Sequence, residues 1–104
     1  MSESKLTASQ RAFLRSAGRR LDPLAAVGKA GVDAAFVAHV RRLLETRELV
    51  KVRLAEKGPA RRPAAEALAG RVGAQAVDVI GRMVLLYRAN DRLAPDDRLA
   101  LPGG

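Results

Sequence analysis

The chain has 104 residues, 48% of them apolar and none of them cysteine. That is enough for one domain with a real core and too little for two, and it rules out disulfides and cysteine-ligated metal centres. Nineteen lysines and arginines against 11 acids leave a net charge of +8, an excess that a small domain most often directs at nucleic acid and less often at an anionic membrane.

Met1 to Leu6 reads as a loose end, without the basic-then-apolar pattern of a signal peptide. No later run is apolar for long enough to cross a bilayer, so the expected location is the cytoplasm and no membrane partner is expected. Thr7-Ala8-Ser9-Gln10 has the form of a capping box, which opens a helix running to about Ala17. Phe13, Leu14 and Ala17 share one face of it, and Arg11, Arg15 and Arg19 fall four apart on another. Like charges at that spacing repel mildly, and either solvent or an anionic partner relieves the repulsion. Gly18 is suited to end the helix in the left-handed conformation. After the turn at Asp22-Pro23, Leu24 to Val27 is a short buried strand.

Val27-Gly28-Lys29-Ala30-Gly31-Val32 follows, with two glycines three apart and a lysine between them. Glycine turns sharply and admits a close ligand, and the helix that starts next presents unpaired N–H groups and a positive dipole end. With the Lys29 charge this is a cradle for a phosphate, although the pattern alone also describes an ordinary turn. The helix covers Asp33 to about Thr46, with Phe36, Val37, Val40, Leu43 and Leu44 in one apolar stripe and Arg42 and Glu45 opposite. His39, the only histidine, flanks the stripe and reads as structural, since a catalytic base needs a positioned partner.

From Glu48 the pattern changes to alternation, Val50, Val52 and Leu54 against Lys51 and Arg53, which describes a sheet covered on one side only. Its charged face is either plainly solvated or able to receive a nucleic-acid backbone. Lys57-Gly58-Pro59 breaks the strand, and Arg61-Arg62-Pro63 suits the first turn of a helix whose apolar face is Ala64, Ala65, Leu68, Ala69 and Val72, closed by Gly73. Gln75 to Ile80 and Met83 to Arg88 are strands joined as a hairpin through Gly81-Arg82. The run Met83 to Leu86 marks a well-buried strand, with Tyr87 in the core rather than stacked on a base. Ala89 to Gly104 is a polar tail in which Asp96 and Asp97 form a solvated turn and Leu99 to Leu101 a short edge strand.

The order is helix-strand-helix-strand-helix-strand-strand. Its two strand-helix-strand crossovers imply parallel pairing and right-handed connections, and the closing hairpin is antiparallel. The expected fold is therefore a single small two-layer α/β domain with a mixed four-stranded sheet, its core at about 7–88.

Taken together, these segments resemble the YhbY-like proteins, the stand-alone bacterial form of the CRM domain (chloroplast RNA splicing and ribosome maturation). The likeness rests on Leu6-Thr7 to Leu14, the G-x-x-G segment Val27 to Val32, the strand Glu48-Leu49-Val50-Lys51-Val52-Arg53, the hairpin Val79-Ile80-Gly81-Arg82 with Val84-Leu85-Leu86-Tyr87-Arg88, and Leu99 to Pro102. One departure is Ala30, where the family often carries glycine or a polar residue. The run Lys57 to Ala60 is this chain's own and receives no transferred role. The resemblance implies a fold similar to the C-terminal domain of translation initiation factor three. It also implies binding to structured RNA, chiefly ribosomal RNA, in precursors of the large ribosomal subunit.

On this reading the chain is a non-catalytic RNA-binding protein. Gly28, Lys29, Ala30 and Gly31 meet the RNA backbone, and Arg11, Arg15, Arg19, Arg20, Lys51, Arg53, Arg82 and Arg88 form a wider basic surface. The alternative is a basic protein-interaction or membrane-surface module. An enzyme acting on a nucleotide is disfavoured, because neither G-x-x-x-x-G-K-[ST] nor G-x-G-x-x-G occurs and no carboxylates have metal-binding spacing. No cofactor and no metal is expected, and a monomer is the default.

Overall fold

The computed structural model of the chain describes residues 6–103. The helices are α1 (Ala8–Gly18), α2 (Ala34–Thr46) and α3 (Arg61–Val72), and the strands are β1 (Ala25–Ala26), β2 (Leu49–Arg53), β3 (Gln75–Ile80) and β4 (Met83–Tyr87). Of the expected loose N-terminal end, Met1 to Lys5 lies outside the described residues, and Leu6 packs beside the core under α1.

α1 and α2 each begin where the sequence supplies a side-chain acceptor. Thr7 and Gln10 close the expected box, the Thr7 hydroxyl accepting from Gln10 N at 3.1 Å and the Gln10 side-chain Oε1 from Thr7 N at 3.0 Å. Asp33 caps α2 by accepting from Phe36 N at 2.9 Å. Such caps each contribute about 1 kcal/mol. α3 starts from a single 3-10 turn, Gly58–Ala60, and ends at Gly73 with φ 72°.

The sheet order is β1-β2-β4-β3. β1 pairs with β2 in parallel, Ala25 beside Val52. The second crossover departs from the expectation of parallel pairing. β2 and β3 run in the same direction, but β4 lies between them and pairs antiparallel with both. The hairpin turn, with Gly81 at φ 60°, folds β4 back into that gap. β4 thus has a strand on each side and a helix over each face, which is why Met83 to Leu86 is an unbroken apolar run.

One face carries α2 and α3. Val37, Val40 and Leu44 from α2 and Ala65, Leu68, Ala69 and Val72 from α3 meet Val50, Val52, Leu54, Val84 and Leu86 in the main core. Burying a leucine or valine fully contributes about 1.5–3 kcal/mol, so these side chains hold most of the fold together.

The other face is not bare, which corrects the reading of a sheet covered on one side only. α1 lies across part of it, and Leu14, Leu49, Val77, Leu85 and Tyr87 form a second buried cluster there. Leu85 and Tyr87 demand this cover, because alternation turns them away from the main core. Gly18 does not end α1 in the left-handed conformation. It is the last helical residue, buried against Leu85, and its lack of a side chain is what allows the approach.

The C-terminal segment is not an edge strand at Leu99 to Leu101. It runs as irregular chain, with Leu99 and Leu101 packed on the second cluster. Its backbone is held by a side chain rather than by a strand. The buried carboxylate of Glu48 accepts from Leu99 N (2.7 Å), from Asn90 N (2.7 Å) and from Arg98 Nε (3.0 Å). Asp96 and Asp97 sit in an exposed 3-10 turn, Pro95–Asp97.

Candidate nucleic-acid interface

The G-x-x-G loop stands at one end of the sheet, and hydrogen bonds gather three other segments around it. Val27 N donates to Arg53 O at 2.9 Å, which ties the start of the loop to the end of β2. Leu54 N donates to Arg82 O at 2.7 Å, which ties β2 to the hairpin turn. Arg61 donates to Gly58 O at 2.9 Å and to Gly81 O, bringing in the beginning of α3. Arg82 Nη2 donates to Ala55 O at 3.0 Å. Segments that lie far apart in the chain therefore form one surface.

Within the loop the two glycines differ. Gly31 N donates to Gly28 O at 3.0 Å, closing a turn with Lys29 and Ala30 at its tip. Gly31 has φ 73°, a conformation that side chains disfavour, so the fold itself calls for glycine there. Gly28 has no such φ, is exposed, and has no atom within 4 Å of where a β-carbon would stand. The fold places no demand for glycine at Gly28. Lys29 is exposed and forms no ion pair among the described residues. The dipole end of α2 is less open than the sequence suggests, since the Asp33 carboxylate already occupies the Phe36 N–H. The loop backbone and Lys29 are therefore more open at this end than the helix terminus. Arg71 braces the loop from behind by donating to Val32 O.

The basic residues named from the sequence divide into two groups. Arg19, Arg20 and Arg53 are exposed and Lys51 is half-buried; Lys51 and Arg53 lie on the α1 side of the sheet. Arg53 adjoins the loop directly through the Val27 bond. Arg15 lies 3.7 Å from Asp78, and Arg82 is engaged with Ala55 O while remaining at the loop end. Arg11 and Arg88 are not part of this surface. Arg11 Nη1 donates to Ala76 O (3.3 Å) and Val77 O (2.9 Å), holding α1 to the bulge in β3. Arg88 Nη1 donates to Val72 O at 3.1 Å, at the opposite end of the sheet.

One cation outside the surface named from the sequence joins the loop end of the sheet. Lys57, in the β2–α3 connection, is exposed, whereas Arg62, in the first turn of α3, lies 4.0 Å from Asp78 at the β3 edge, across the sheet from the loop. The acids of this end are Asp33, the cap, and Glu56, exposed beside Lys57. Among the described residues no three His, Cys, Asp or Glu side chains come together as a metal site. His39 is exposed on α2, outside this end.

A small α/β domain with a mixed sheet, a capped G-x-x-G loop and cations gathered at one end defines the class. Residues 6–88 match the CRS1/YhbY (CRM) domain model, and the chain belongs to that family. It is 37% identical over 84 residues to "Probable RNA-binding protein YqeI" of Bacillus subtilis (strain 168), covering 80% of this chain and 88% of that protein. It is 33% identical over 88 residues to "Probable RNA-binding protein PA4753" of Pseudomonas aeruginosa, covering 84% and 85%. The solution structure of SAV1595 from Staphylococcus aureus, a candidate RNA-binding protein, superposes with a TM-score of 0.80 at 30% identity, covering 94% of this chain and all of that one.

Proposed function

We propose that this protein binds RNA without catalysis, and that its target is ribosomal RNA in assembling large ribosomal subunits. The observation that carries the reading is the set of cations at the G-x-x-G end: Lys29 and Arg53 are exposed beside a glycine, Gly28, that the fold does not require, and Lys57 is exposed at the same end of the sheet. Backbone contacts of this kind supply affinity and register without reading sequence. KH domains use a G-x-x-G loop to clamp a nucleic-acid backbone, and the loop here offers the same features. The family membership and the names of the relatives support RNA as the class of partner. The ribosomal assignment rests on the family resemblance, and a monomer acting in the cytoplasm is part of the same proposal.

Crosslinking in living cells followed by sequencing of the bound RNA tests it. Enrichment of large-subunit ribosomal RNA at a few discrete positions is the expected result. Crosslinks spread over messenger RNA in proportion to abundance overturn the ribosomal assignment.

A further inference from the structure

The α1 side of the sheet is only partly covered, and its open part adjoins the loop. Strand pairing sets the side chains of this face in rows. Lys51, Leu85 and Asp78 form one row across β2, β4 and β3, and Arg53, Met83 and Ile80 form the next. α1 ends on the first of these, where Gly18 rests on Leu85. The row of Arg53, Met83 and Ile80 lies beyond the helix. Ile80 is 46% exposed and Met83 half-buried. Arg19, Lys51, Ile80, Met83 and Leu85 line a shallow depression of about 190 Å³.

The chemistry of this strip is one-sided. Its single carboxylate, Asp78, already faces Arg15 at 3.7 Å and Arg62 at 4.0 Å. Arg19, Lys51 and Arg53 are left around a small apolar floor, next to the loop that carries Lys29. The partner that complements this is anionic and also brings flat apolar surface. Two aliphatic side chains among cations are far too little for a protein interface, which takes about 800 Å² from each partner. An RNA duplex presents phosphates and 2′-hydroxyls but keeps its base faces stacked, so it leaves Met83 and Ile80 nothing to cover.

We propose that this strip receives unpaired nucleotides that continue from the G-x-x-G loop. Their backbone runs past Lys29, Arg53 and Lys51, and their bases lie on Met83 and Ile80. From β1 to β3 the strip crosses three interstrand spacings of about 4.8 Å each, room for about two or three nucleotides. The proposal rests on the RNA-binding reading and adds to it the strandedness of the target and the residues that meet the bases.

The test measures binding by fluorescence anisotropy at low salt for three probes: a ten-nucleotide single-stranded RNA, its abasic ribose-phosphate counterpart and a ten-base-pair RNA duplex. The proteins are the wild type, Ile80→Ser, Met83→Gln and Lys29→Ala. Ile80 is exposed and Met83→Gln nearly conserves shape, and thermal melting confirms that both fold. The expected result is that Ile80→Ser and Met83→Gln each weaken single-strand binding about fivefold, near the lower end of measured base-stacking contributions. Their affinity for the duplex and the abasic strand stays at the wild-type level, and wild type itself prefers the single strand to the abasic one. Lys29→Ala weakens all three probes. If Lys29→Ala weakens binding while both floor variants bind the single strand like wild type, the base platform is overturned and RNA binding stands. If wild type binds none of the probes, the RNA-binding reading falls and the platform falls with it.

Discussion

Gly18, the last residue of α1, lies against Leu85 of the central strand so closely that a β-carbon on it would stand 2.5 Å from both methyl carbons of Leu85. Leu85 is 1% exposed and has little room to yield. Gly18→Ala brings two opposed effects. Alanine favours a helix interior by about 1 kcal/mol over glycine, while overpacking a tight core costs about 1–3 kcal/mol. With the clash at sub-contact distance on a buried side chain, the second wins. Urea unfolding should show a net loss of about 1 kcal/mol, and the double variant with Leu85→Ala should be less destabilised than the sum of the singles. Strict additivity would mean that the two residues do not press on each other.

Glu48 holds the C-terminal segment through a carboxylate that is almost wholly buried. Burial alone raises its pKa, but the hydrogen bonds from Asn90 N, Leu99 N and Arg98, with the Arg98 charge, outweigh it and hold the group below the ordinary carboxylate value of 4.5. A depressed folded-state pKa contributes stability that is present above the unfolded value and lost as pH falls through the folded one. Stability should therefore decline as pH falls below about 4.5. Glu48→Gln should remove this part of the acid dependence. It should also cost about 2 kcal/mol at neutral pH, because one of the two backbone N–H donors meets an amide NH₂. Urea titrations of both proteins across acidic pH check it.

Tyr87 titrates upward for related reasons: burial raises the phenol first, and the Glu48 charge adds to it. Glu48→Gln should lower the Tyr87 pKa toward its ordinary value without reaching it. A spectrophotometric titration of the only tyrosine reads this directly, and an unchanged midpoint would separate the two groups electrostatically.

The two loop glycines should respond in opposite ways. Gly31 sits at positive φ, so Gly31→Ala should destabilise the protein by about 1 kcal/mol. Gly28→Ala meets open space at an ordinary φ and should leave stability unchanged or slightly improved. If RNA backbone passes over the loop, Gly28→Ala should nonetheless weaken RNA binding. A variant that is equally stable and binds equally well would place the RNA elsewhere.

Free and engaged arginines should separate in the same assays. Arg53→Ala should reduce RNA affinity and lower the salt slope by about one, as removing a phosphate contact does. Arg11→Met should lower stability, since it strips two carbonyls of the β3 bulge of their donor, and should leave the RNA affinity of the folded protein near wild type. An equal loss of affinity in both would argue for a diffuse electrostatic surface instead of a defined one.

Local chemistry made the elements readable from the sequence. The Thr7–Gln10 box, the Asp33 cap, the Gly73 stop and the period-two alternation of β2 depend on neighbours a few residues away, so their signals sit together in the chain. The basic excess, the G-x-x-G turn and the family were legible for the same reason. What the chain order hid was everything that depends on which strand lies beside which. Placing β4 between β2 and β3 decided that both sheet faces need helical cover, and that Gly18 is a contact point rather than a terminator. It brought Lys57 to the loop end of the sheet, set Arg62 against Asp78 and assigned Arg11 and Arg88 to backbone carbonyls. Glu48, within a segment that reads as a strand edge, became a buried clamp only because the tail returns to it from more than forty residues away. Periodicity records which side of an element is apolar; only the closed fold determines what stands opposite that side, and so which charges remain free to meet a partner.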